Sequence, residues 1–181
     1  MNKIELKDEQ LKNHIESLIK DEMSIFVMAE GRIRGAVFHG TRFVNQLRLQ
    51  HNLGILETMI LGQACLCGAL VIPTMKGQEH VTLKYEGDGS AKGFSVEADS
   101  RGTIRGFLYN ENIPVEKPLD SWDLKPFLGS GVLTVSTLHK EDKEPFTSSV
   151  QVDSGNIAKD LAYFYKQSEQ ICLKYNLFII V

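Results

Sequence analysis

The stretch that decides the fold runs from Leu56 to Tyr109 and begins with LETMILGQACLCGALVIPTMKG (Leu56–Gly77). This segment is long enough for a helix and carries almost no charge inside it. A helix that is apolar all round must be covered on every side. We predict the helix from Glu57 to Ile72, because Pro73 removes a backbone donor and Gly77 permits the turn that follows.

Three alternating segments follow this helix: HVTLKYEGDGS (80–90), AKGFSVEADSRG (91–102) and TIRGFLYN (103–110). Alternation with period two predicts strands that each offer one apolar face. The simplest packing buries the helix against this three-strand meander. Within it, EGDGS (Glu86–Ser90) is interpreted as a hairpin turn, because it lacks the Lys-Ser/Thr of a phosphate-binding loop and leads into a strand.

The rest of the chain gives a mixed order of helices and hairpins, which predicts an α+β fold: antiparallel hairpins and a meander packed on a buried helix, with further helices. The other predicted elements are a helix capped by Asp8, a hairpin of Ser24–Met28 and Arg32–His39, a helix capped by Thr41, a loop over Asn110–Pro126, strands Gly131–His139 and Phe146–Val152, and a helix capped by Ser154 with Ile157, Leu161, Phe164 and Ser168 on one face.

Composition narrows the class of protein. The chain has 181 residues, about the size of one domain, with 43% hydrophobic residues and a net charge of −3. This charge argues against a nucleic-acid binder. Met1–Asn13 lacks the apolar core of a signal peptide, and the apolar stretch around Ile60 is interrupted by Gln63 and short for a bilayer span. We therefore expect a cytoplasmic protein with neither membrane nor nucleic acid as a partner.

The chain ends on Leu177–Val181, the most apolar pentapeptide in the sequence. Termini are usually polar unless they are docked. A strand of this kind needs neighbouring strands, so we expect the protein to continue beyond Val181.

The cysteines and histidines predict no metal or catalytic site. On a helix, Cys65 and Cys67 project about 200° apart and cannot hold one ion. Buried cysteines behave as small hydrophobic residues, and Cys172 is interpreted in the same way. The five histidines (His14, His39, His51, His80 and His139) show no metal-ligand spacing, so residue chemistry alone predicts no catalytic, cofactor or metal residue.

Three stretches together carry a resemblance to a known family: SIFVMAEGRIRGAVFHGT (24–41), LGQACLCGALVIPTMKGQEHVTLKYEGDGSAKGFSVEADSRGTIRGFL (61–108) and FLGSGVLTVSTLHKEDKEPFTSSVQVDSGNIAKDLAYFYKQSEQ (127–170). They resemble the 33 kDa chaperonins, which are redox-regulated holdase heat-shock proteins. The segment SGNIAKDLAYFYKQSEQ (154–170) is the most specific. The resemblance implies a chaperonin core domain over 24–181, preceded by an extra helical segment over 1–23.

The resemblance also implies a function. The family binds unfolding proteins without ATP, is not enzymatic, and forms homodimers that can exchange elements. Its switch is a C-terminal module with C-x-C and C-x-x-C pairs that bind zinc. This chain contains no C-x-x-C, so zinc is expected only in such a module, which is absent here, and no residue of this chain receives a zinc or disulfide role.

Candidate contacts to unfolded client proteins are the aromatic residues of the proline-rich loop and the late helix: Trp122, Phe127, Tyr163, Phe164 and Tyr165. For Phe164, which lies on the apolar face of that helix, packing in the core is the favoured role. The alternative function is a small cytosolic hydrolase or transferase. It would need a polar cleft around a residue such as His39 or His51 with nearby acids.

Overall fold

The computed structural model describes residues 9–115 and 121–170. The helices and strands, in chain order, are α1 (Glu9–Ser17), β1 (Glu22–Met28), β2 (Ile33–His39), α2 (Thr41–His51), α3 (Ile55–Val71), β3 (Glu79–Gly87), β4 (Gly93–Asp99), β5 (Ile104–Leu108), α4 (Lys125–Leu128), β6 (Gly131–His139), β7 (Phe146–Val152) and α5 (Ile157–Ser168). A single 3-10 turn, Ile72–Thr74, follows α3.

Five strands form one antiparallel sheet in the order β5-β4-β3-β6-β7, and among the described residues β1 pairs only with β2, in a separate hairpin. The register places Leu83 of β3 between Val96 of β4 and Val135 of β6. These side chains are buried and face α3, which also packs on α2 and α5. The predicted α+β fold is confirmed.

Helix α3 forms the centre of the core. Fourteen of its 17 residues are buried, and it begins two residues before and ends one residue before the predicted bounds. The segment Ile55–Thr74 is long and apolar enough to cross a membrane by length and composition. However, 78% of its most apolar window is buried inside the protein, which is the environment of a core helix.

The helix approaches the sheet closely at Gly106 of β5. A Cβ placed on Gly106 would lie 3.1 Å from the Cys65 sulfur and 3.0 Å from the carbonyl oxygen of Ser95. Real Cβ atoms rarely have such short contacts. A side chain at this position would therefore separate α3 from the sheet.

The start of α2 differs from its prediction. Thr41 is the first helical residue and makes no capping bond; the N-cap is Gly40. The carboxylate of Asp21 accepts hydrogen bonds from the backbone N–H groups of Arg42 (2.9 Å) and Phe43 (2.7 Å). A residue some 20 positions earlier thus satisfies the free donors of the first turn, a role that usually belongs to the residue immediately before a helix.

The cap of α5 also differs from its prediction. Asn156 is the N-cap, and its side-chain oxygen accepts a hydrogen bond from the N–H of Lys159 at 3.0 Å. Ser154 accepts from the N–H of Asn156 and donates to Oδ1 of Asp160 at 2.6 Å. Burial raises the pKa of Asp160, whose second oxygen is buried and has no hydrogen-bond partner among the described residues. Ser154 therefore orients a buried acid instead of capping the helix.

The predicted loop over 110–126 differs from the structure at its end, where the short helix α4 begins at Lys125. Pro126 lies in the first turn of α4, where the missing N–H of proline costs nothing. The Asp8 cap, the strand Leu177–Val181 and Cys172 lie outside the described residues, and the division into 1–23 and 24–181 stays a prediction. Helix α1 lies within the first of these segments.

Candidate functional site

The predicted aromatic contacts fall into three levels of exposure. Trp122 is 60% exposed and Tyr163 is 47% exposed. Phe127 and Tyr165 are half-buried and pack against the core. Phe164 is 1% exposed and belongs to the core itself. Of the five predicted contacts, Trp122 and Tyr163 are the two that present large aromatic surfaces to a partner.

Phe164 therefore has the structural role that the sequence favoured for it. Its ring packs edge-on against Tyr165, with the ring centres 5.5 Å apart and the planes at 87°. Burial, followed by the nearby charge of Glu169, raises the pKa of Tyr165. A client could reach Phe164 only after α5 moved away from the core.

The hairpin of β1 and β2, which we call the apolar hairpin, exposes most of its large apolar side chains. The exposed set is Ile25 (57%), Phe26 (39%), Val27 (56%), Met28 (51%), Ile33 (51%) and Val37 (60%). In the register of the hairpin, Ile25 faces Ala36 while Phe26 faces Gly35. Because neighbouring residues of a strand point to opposite faces, both faces of the hairpin are apolar.

Sequence reasoning missed this surface, although a signal was available. Ile25–Met28 is four apolar residues in a row, without the alternation of a strand that has one face in water. Such a run is typical of a strand that is covered on both faces. Among the described residues, β1 has no strand neighbour other than β2.

The two cysteines among the described residues are buried thiols of low reactivity. Cys65 and Cys67 lie in α3 and both are 0% exposed. Burial raises the pKa of Cys67 to about 12 and raises that of Cys65 further from its ordinary value. Since the thiolate is the form that binds metals and attacks disulfides, neither thiol is suited to redox or metal chemistry while α3 stays folded.

The outer face of the sheet, opposite α3, is polar and carries two shallow depressions. The larger, about 430 Å³, is lined by residues such as His80, Lys84 and Glu97. Neither depression includes His39 or His51. His51 lies 3.4 Å from Glu111, whereas His39 is exposed and contacts only Thr41 among the side-chain hydrogen bonds of the described residues. Neither of these two depressions therefore supplies the polar cleft that a hydrolase would need around either histidine.

The described geometry is that of a core helix enclosed by a sheet and flanked by exposed apolar groups. A protein-family model described as "Hsp33 protein" matches residues 21–178, most of the chain. The chain belongs to the Hsp33 family. This confirms the resemblance given by the three sequence stretches.

Known members of the Hsp33 family support the assignment in sequence and in structure. Proteins named 33 kDa chaperonin from Thermotoga petrophila and Aquifex aeolicus are both 34% identical to this chain, over 85% and 90% of its length. A crystal structure of the 33 kDa chaperonin of Thermotoga maritima superposes with a TM-score of 0.76 at 35% identity, over 83% of this chain.

These comparisons cover only part of each relative. The matched region is 53% of the Thermotoga petrophila protein, 52% of the Aquifex aeolicus protein and 52% of the Thermotoga maritima structure. The chain thus spans about half the length of the Hsp33 relatives it matches. The name chaperonin describes those longer proteins.

Proposed function

We propose that this chain acts as the core of an ATP-independent holdase chaperone, which binds unfolding proteins and prevents their aggregation. The observation that carries the proposal is the combination of Hsp33 family membership with large apolar side chains exposed on a folded core. Passive burial of a client's apolar groups lowers free energy without a coupled chemical step. Exposed apolar patches of this kind commonly mark sites of protein interaction.

The proposed client surface includes Trp122 and Tyr163. Aromatic side chains bury a large area and lose few rotamers on binding, which suits contacts with varied sequences. Phe127 and Tyr165 offer smaller accessible areas at the margin of this surface. Phe164 supports the surface from inside the core.

The redox switch is proposed for a C-terminal module with zinc-binding cysteine pairs, and not for Cys65 or Cys67. Their burial and raised pKa support this separation, because neither reacts readily with peroxide as a neutral thiol. Holding by this chain should therefore be independent of redox state. The proposal also includes a cytoplasmic homodimer that uses neither nucleic acid nor membrane as a partner and catalyses no reaction.

The test is light scattering from a chemically unfolded client protein diluted into buffer with the chain in excess and no ATP. We expect similar suppression of aggregation under reducing and oxidising conditions. The double variant W122S/Y163S should lose most of the suppression. Phe146→Ser is the matched control, because Phe146 is 65% exposed but lies on β7.

Three outcomes would contradict the proposal. Absence of suppression under both conditions would show that this chain does not hold unfolded clients. Suppression that appears only after peroxide treatment would show that the cysteines of this chain have a redox role. Equal loss in F146S and in the double variant would mean that Trp122 and Tyr163 do not define the client surface.

A further inference from the structure

The EGDGS turn (Glu86–Ser90), which joins β3 to β4, is bonded to the short helix α4 through backbone groups. The N–H of Gly89 donates a hydrogen bond to the carbonyl oxygen of Leu128 at 3.2 Å. Just after the turn, the N–H of Ala91 donates to the carbonyl oxygen of Phe127 at 2.9 Å. The end of α4 is therefore tied to the connection between two strands of the sheet.

The residues that follow α4 are held by the same part of the sheet. Oδ1 of Asp88 accepts a hydrogen bond from the N–H of Ser130 at 2.8 Å, and the N–H of Asp88 donates to the carbonyl oxygen of Ser130 at 3.0 Å. The hydroxyl of Tyr85, on β3, donates to the carbonyl oxygen of Gly129 at 2.8 Å. Each residue from 127 to 130 is thus bonded to the end of β3 or to the connection after it.

Two glycines allow α4 to lie directly against its neighbours. A Cβ on Gly89 would overlap the carbonyl oxygen of Phe127. A Cβ on Gly155 would overlap the Cα atom of Lys125, the first residue of α4. Because Gly155 lies just before α5, α4 contacts both the EGDGS turn and the segment that leads into α5.

Helix α4 in turn fixes two aromatic residues of the candidate client contacts. Phe127 lies on α4, and Trp122 lies just before it. Between Trp122 and α4, Oδ1 of Asp123 accepts a hydrogen bond from the N–H of Lys125 at 3.0 Å, and Leu124 is 4% exposed. The link from Trp122 to α4 is therefore anchored at both of its residues.

We propose that the EGDGS turn and Gly155 position the client surface: they fix α4, and α4 holds Trp122 and Phe127 in place for an unfolded client. Contacts that are already in place bind more tightly, because fewer side chains must be immobilised on binding. This inference rests on the proposed function and specifies which residues keep its client surface in place.

The first experiment uses Trp122, the single tryptophan of the chain, to report on α4 without any client present. Gly89→Ala should displace α4, lower the fluorescence anisotropy of Trp122 and increase its quenching by acrylamide. Gly106→Ala is the matched control, because its Cβ also meets a backbone carbonyl oxygen, that of Ser95 at 3.0 Å, but on β5. Neither glycine has a positive φ, so both substitutions act through steric contact. G106A should leave both Trp122 signals unchanged.

The second experiment measures client affinity. The client is a reduced and alkylated protein that carries a fluorescein label, and the anisotropy of the label is followed as each variant is added. G89A should raise the dissociation constant by about tenfold, since Trp122 and Phe127 must then be immobilised on binding. G106A should bind as the wild-type chain does. Urea unfolding of both variants gives the folded fraction, so that affinities are compared at equal concentrations of folded protein.

Asp88 provides a second test that introduces no steric clash. Asp88→Ala removes the acceptor for the N–H of Ser130 and should raise the dissociation constant by about twofold to tenfold. Asp88→Asn keeps a side-chain oxygen that can accept the same hydrogen bond. D88N should therefore restore both the affinity and the Trp122 anisotropy that D88A loses.

Four results would overturn the inference. Wild-type anisotropy of Trp122 in folded G89A would show that the EGDGS turn does not fix α4. Equal loss of affinity in G89A and G106A would trace the loss to general stability. Failure of D88N to recover what D88A loses would exclude the bond to Ser130. A wild-type chain that binds clients no better than G89A does would overturn the inference alone, whereas a wild-type chain that binds no client would overturn the proposed function as well.

Discussion

Helix α3 and the apolar hairpin both carry large apolar side chains on more than one face, yet their surroundings in the fold are opposite. Fourteen of the 17 residues of α3 are buried, while none of the 14 residues in β1 and β2 is buried. The difference arises because α3 lies between the five-stranded sheet and helices α2 and α5. Apolar composition shows that a segment needs cover, but the arrangement of layers decides which of the described elements lie against it.

The largest expected difference between the two regions is the cost of removing a side chain. Leu61 of α3 is 0% exposed, so Leu61→Ala should leave a cavity and lower the free energy of unfolding by about 2–5 kcal/mol. Val37→Ala on the hairpin should change it by no more than about 0.5 kcal/mol. Urea unfolding followed by circular dichroism measures both. Equal costs would mean that the hairpin is packed as tightly as α3.

A methyl group added at one glycine in each region tests the same difference in packing. Gly106→Ala would bring Cβ to 3.1 Å from the Cys65 sulfur and 3.0 Å from a backbone oxygen, neither of which can move easily. It should cost about 1–3 kcal/mol of stability. Gly35→Ala meets only the ring of Phe26, which is 39% exposed and free to turn into solvent. A lower melting temperature for G35A than for G106A would contradict this account.

Thiol alkylation compares the solvent access of the two regions. Of the three comparisons, it is expected to change stability the least. A thiol introduced by Val37→Cys should react with iodoacetamide within minutes, and faster as pH rises from 7 to 9 through its ordinary pKa of about 8.5. Cys67, with a pKa of about 12, stays protonated over that range. Its alkylation should depend on opening of α3 instead.

Peptide mapping by mass spectrometry separates these sites from each other and from Cys172. Denaturant is the positive control, because unfolding should expose Cys65 and Cys67 together. Rapid native alkylation of either residue would show that α3 is less enclosed than its burial indicates.

Patterns local in sequence predicted much of the fold. The bounds of α3, the meander of β3 to β5 and the β6–β7 pair follow from apolar periodicity and from the turn residues between them. The resemblance identified the family for the same reason, since each of the three stretches that carry it is a contiguous run of residues. The candidate contacts to client proteins were predicted only from their residue type and their place in a loop or helix. Aromatic residues in a loop and on a helix were recognised, but burial was predicted only for Phe164, from its place on the apolar face of the helix.

What the sequence by itself determined is most of the described elements, the fold class and the family, because these depend on neighbours along the chain. Only the tertiary structure decided that Asp21 caps α2, that Tyr163 is open, and that the apolar hairpin lacks cover among the described residues. Each of these depends on groups that are distant in sequence and adjacent in space. Burial and capping depend on the atoms that the fold brings close together in space. Periodicity along the chain does not indicate which atoms those are.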